Sequence, residues 1–79
     1  TEEARQKIWQ DKIASLSDDD ARTLARAYDF SGGEIDNIVR KIEIESIVKD
    51  TPVSFAEIDK LCAGEKIKNE ATHLIGFGN

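Results

Sequence analysis

Apolar residues recur at helical spacing along most of the chain, in four blocks separated by short polar or glycine-containing segments. In the first, Ala4, Ile8, Trp9, Ile13 and Leu16 form one stripe, which predicts a helix from about Glu2 to Ser15. The second follows Ser17, a good N-cap, places Ala21, Leu24, Ala25 and Tyr28 together, and is expected to end near Asp29. The third follows Ser31 and extends to about Lys49, where Thr51-Pro52 prevents continuation. Its pattern changes midway. Ile35, Ile38, Val39 and Ile42 share one face, whereas Ile44, Ile47 and Val48 project from nearly the opposite side, which predicts a central helix packed on two sides.

The fourth block opens with Ser54-Phe55-Ala56-Glu57, a capping box, and sets Phe55, Ile58 and Cys62 on one face with Leu61 at its margin. Gly64 is expected to stop this helix there or one turn later. No alternating strand pattern precedes the tail, so the expected fold is all-α, a small four-helix bundle over residues 1–64. Residues 65–79 form a tail, partly helical or disordered, in which Ile67, Leu74, Ile75 and Phe77 lack a clear local face.

The start of the third helix carries the chemistry. Ser31 is its N-cap, Glu34 falls at the third helical position to close a capping box, and Gly32 and Gly33 lie between them. A helix N-terminus has unpaired N–H groups and roughly half a positive charge, so it can face a phosphate, a ribose or a base. The absence of side chains at Gly32 and Gly33 allows close approach. Glycine also occurs at helix starts for capping alone, and both readings stand at the level of the residues.

At 79 residues the chain is one small domain. It has no G-x-x-x-x-G-K-[ST] loop, no apolar run near the roughly 20 residues that span a bilayer, and no signal-peptide pattern. It contains no Met and begins at Thr1, and is read as a soluble piece of a longer protein, without catalytic equipment of its own. The net charge of −5 argues against a nucleic-acid backbone as partner. Asp18, Asp19 and Asp20 are best read as first-turn carboxylates behind the Ser17 cap, because adjacent helical side chains diverge by about 100° and make a poor metal site. The single cysteine, Cys62, excludes an intramolecular disulfide and fits a reducing, cytoplasmic setting.

Three segments together resemble the C-terminal helical lid subdomain of an AAA+ ATPase. Arg5-x-x-Ile8-Trp9 is similar to the first lid helix, and Leu24-Ala25-x-x-Tyr28-Asp29-Phe30 to the second. Ser31-Gly32-Gly33-Glu34-Ile35-x-Asn37-Ile38-Val39 is similar to the start of the third, and the tract from Phe55 to about Cys62 would supply the fourth. The resemblance implies that the partners are a separate α/β domain, which holds ATP with magnesium, and neighbouring ring subunits. It implies no membrane segment here and no nucleotide binding by the chain alone. Ser31, Gly32 and Gly33 would meet the adenine or ribose. Where many such lids place an arginine that senses the γ-phosphate, this chain has Asp36, whose charge would repel a polyphosphate.

Other candidates have simpler readings. Arg40 is expected to pair with Asp36 across one helical turn, Trp9 to anchor the core, and Cys62 to be a small buried hydrophobe. His73 stands alone, with no second ligand at metal spacing. The rival function is a free-standing helical interaction module, in which the Ser-Gly-Gly start is only a cap. An isolated DNA-binding helical domain is weaker, because acidic charge on the third helix opposes phosphate.

Overall fold

A computed structural model describes the backbone of residues 1–75 and the side chains of residues 1–70. It contains four helices, α1 (Glu2–Lys12), α2 (Asp18–Ala27), α3 (Gly32–Lys49) and α4 (Phe55–Ile75), and no strand among the described residues. The expected all-α architecture is therefore observed. α1 packs most extensively on α2, and α3 meets both α1 and α4.

Each helix begins where the sequence predicts, and at α1 the structure adds Thr1 as the cap. Thr1 accepts from the Ala4 amide at 3.1 Å, and Ser17 accepts from the Asp20 amide at 3.1 Å behind three first-turn aspartates. The ends differ from expectation. α1 stops at Lys12, because Ile13 turns extended and its carbonyl accepts from Leu16 at 3.0 Å. This turn lets both apolar side chains pack on the core from a connector. α2 stops at Ala27, and Tyr28 is extended, which brings the Tyr28 and Phe30 rings into the core stacked at 5.3 Å.

Trp9, Leu24, Ile35, Ile38 and Cys62 are the largest fully buried side chains, so Trp9 and Cys62 take the core positions expected of them. The inward face of α3 is buried through Ile35, Ile38, Val39 and Ile42. Its outward face is not. Ile44, Ile47 and Val48 are 55%, 78% and 77% exposed, so the expected packing on two sides is absent among the described residues. α1 and α4 meet α3, and among the described residues nothing covers the face that carries Ile44, Ile47 and Val48.

α4 also departs from expectation, running through Gly64 to Ile75. A glycine in a helix interior costs about 1 kcal/mol relative to alanine, too little to end a helix anchored on both sides of it. Ile58 and Cys62 anchor it before Gly64, and buried Glu65, which accepts from Lys41 at 3.1 Å, anchors it after. Residues 65–75 are thus continuous with α4, while the side chains of His73, Leu74 and Ile75, and the whole of Phe77, lie outside the described residues.

Candidate functional site

The start of α3 is held from three directions. Ser31 has extended backbone, its Oγ accepts from the Glu34 amide at 3.2 Å, and its own amide donates to Glu34 Oε1 at 2.8 Å. This is the predicted capping box in full. The second carboxylate oxygen of Glu34 accepts from Asn69 Nδ2, which ties the helix start to a late turn of α4. From below, Arg5 of α1 donates to the Ala25 carbonyl at 3.1 Å and to Asp29 Oδ1 at 2.8 Å. A cation at the end of α2 satisfies one of its last carbonyls and fixes where the chain leaves for Phe30 and Ser31.

Between these anchors Gly32 and Gly33 are exposed. A Cβ built on Gly32 would meet nothing within 4 Å, and one on Gly33 would meet only Ser31 Oγ at 3.9 Å. Neither residue has a positive φ. Nothing inside the chain therefore requires glycine at either position, and the backbone there is open to a ligand. The first amides of a helix have no intrahelical acceptor, so this bare surface also carries donors.

Asp36 does not share that surface in the expected way. Its Oδ1 lies 2.5 Å from Lys12 Nζ at the end of α1, so the expected pairing with Arg40 is replaced by one between helices. Arg40 makes no ion pair among the described residues. The physical reason is competition: Lys12 at the C-terminal end of α1 presents a compact ammonium to the same carboxylate. Both partners are about half exposed, so the pair is worth no more than roughly 1 kcal/mol. At Gly32 and Gly33 the surface offers backbone donors, and no arginine stands at the Asp36 position. A shallow groove continues from Phe30 and Glu34 toward Arg26 of α2 and Lys66 and Asn69 of α4.

Burial shapes the titration of two nearby groups. Tyr28 donates to Asp59 Oδ1 at 2.8 Å, and desolvation, helped by that bond, pushes its hydroxyl up to about 12. Burial likewise pushes the Cys62 thiol up to about 12, with Asp59 and Glu65 adding to the effect. Such a thiol is protonated and inert near neutrality.

Sequence reasoning placed the helix start but missed its supports. These are Arg5, a charge four residues before Trp9 on an otherwise apolar stripe, and Asn69 of α4. A charge on an apolar stripe signals a nearby partner, and for Arg5 that signal was available. Comparison with protein-family models, curated proteins and solved structures finds no match.

Proposed function

We propose that this chain is the helical lid of a cytoplasmic AAA+ ATPase, closing over ATP and magnesium held by a separate α/β domain and relaying nucleotide state to neighbouring ring subunits. One observation carries the proposal: Gly32 and Gly33 occupy a capped helix start where neither packing nor backbone conformation calls for glycine. An external ligand that must approach the backbone supplies the missing reason. Ser31, Gly32 and Gly33 take the adenine or ribose, and Asp36, neutralised by Lys12, stands beside the phosphates without binding them. Phosphoryl transfer needs a phosphate cradle, a magnesium ligand and a group that orients water, and these belong to the α/β domain. The lid acts by position, its angle shifting when nucleotide favours one orientation.

The rival, a helical interaction module, has its own support in the exposed Ile44, Ile47 and Val48. ATP turnover separates the two. In the whole protein, Gly33→Val is expected to raise KM for ATP at least 10-fold with a smaller change in kcat. The 79-residue chain alone is expected to bind no ATP. A whole protein without ATPase activity, or a micromolar dissociation constant for the chain alone by calorimetry, would overturn the proposal.

A further inference from the structure

Away from the α3 start, the α1–α2 connector, the middle of α3 and the beginning of α4 enclose a groove of about 280 Å³. Its floor is apolar, with buried Ile42 and Ile58 beneath half-buried Ile13, Leu16, Val53 and Phe55. Two carboxylates stand among its lining residues, Asp20 from α2 and Glu43 from α3, and no lysine, arginine or histidine does. Neither carboxylate makes an ion pair or a side-chain hydrogen bond among the described residues, although most other acidic groups near helix contacts do.

We infer that this groove binds a short segment of a partner polypeptide that carries an apolar side chain flanked by lysine or arginine. The volume is just below the roughly 300–1,000 Å³ of drug-sized clefts, which suits one or two side chains and not a folded surface. The apolar floor supplies the attraction for the inserted residue. Asp20 and Glu43, from two different helices, set the sign of its neighbours, and an acidic flank would meet two like charges. The net charge of −5 steers the same class of partner toward the chain at longer range. This inference does not depend on the nucleotide proposal.

The test is anisotropy of a fluorescein-labelled hexapeptide, a Leu-Phe pair flanked on each side by two lysines, titrated with the 79-residue chain. Saturable binding is expected, at least 10-fold tighter than for the same peptide with glutamates in place of the lysines. The double variant Asp20→Asn with Glu43→Gln is expected to weaken binding 5- to 10-fold, and Ser46→Trp, which fills the groove from its rim, to abolish it. Ser15→Trp blocks the same groove from the connector, so the result does not hang on the folding of one variant, which a circular-dichroism melt monitors. Equal affinity for the two peptides, no saturable binding of the lysine peptide, or binding unchanged in the folded tryptophan variants would overturn the inference.

Discussion

The starts of α3 and α4 use the same cap with opposite fillings. At α3 the box is Ser31-Gly32-Gly33-Glu34, and at α4 it is Ser54-Phe55-Ala56-Glu57. In α4 the Glu57 amide donates to Ser54 Oγ at 3.3 Å and the Ser54 amide to Glu57 Oε1 at 3.3 Å, the reciprocal bonds seen at α3. Each glutamate also reaches a neighbouring helix, Glu34 through Asn69 and Glu57 through Lys49 at 2.5 Å. The caps are equivalent, yet α4 forms its own with Phe55 and Ala56, and Phe55 packs against the core. The glycines of α3 are therefore not a requirement of capping. They withhold side chains from a place where α4 uses them.

Substitutions can break or sharpen this contrast. The largest effect is expected at the clothed start, where Phe55→Ala removes a half-buried ring and should cost about 2 kcal/mol in urea unfolding of the 79-residue chain. Next, Ser31→Ala and Ser54→Ala should each cost about 1 kcal/mol, and nearly equal losses would confirm that the two caps are alike. Smaller and opposite in sign, Gly32→Ala and Gly33→Ala should each stabilise the chain by about 0.5 kcal/mol, since an added methyl meets open space at Gly32 and only an ordinary contact at Gly33, and restricts the unfolded state. A loss of 1 kcal/mol or more at either glycine would show an internal need for it and weaken the ligand argument.

The subtlest difference is in pH dependence. At the α4 start, the hydrogen bond from Lys49 holds the Glu57 carboxyl below its ordinary value of 4.5, and the same bond raises the Lys49 ammonium. The lowered carboxyl contributes stability above its unfolded value, lost as pH falls through the folded one. The raised ammonium contributes below its unfolded value, lost as pH rises through the folded one. Carbon-detected NMR titration should show Glu57 losing its charge at lower pH than an unpaired glutamate, and Lys49→Gln should reduce the difference while the bonds from Ser54 keep part of it. In the core, stability tied to the protonated Cys62 and Tyr28 should be present below their unfolded values and decline as pH rises toward 12.

Much of this fold was legible in the sequence because caps and periodicity are local. Ser17, Ser31 and Ser54 marked three helix starts, and Ile35, Ile38, Val39 and Ile42 marked the buried face of α3. The ends were less legible. Ile13 and Tyr28 leave helical geometry to pack with distant partners, and Gly64 is carried by contacts on either side of it, which no local pattern reveals. Likewise Ile44, Ile47 and Val48 read as a second buried face, because periodicity shows an apolar face but not whether anything covers it. At the candidate site, Ser31 and the glycines were visible, whereas the clamp from Arg5, the tie to Asn69 and the capture of Asp36 by Lys12 depend on separations of 20 to 35 residues.

The central claim is that Gly32 and Gly33 are bare for a nucleotide. Its most direct test is the dissociation constant of a ribose-labelled fluorescent ATP analogue for the whole protein carrying Gly32→Val and Gly33→Val together. Binding at least 10-fold weaker, with an unchanged unfolding midpoint, is the predicted result. An unchanged dissociation constant in a folded variant would contradict the claim and leave the glycines without a ligand.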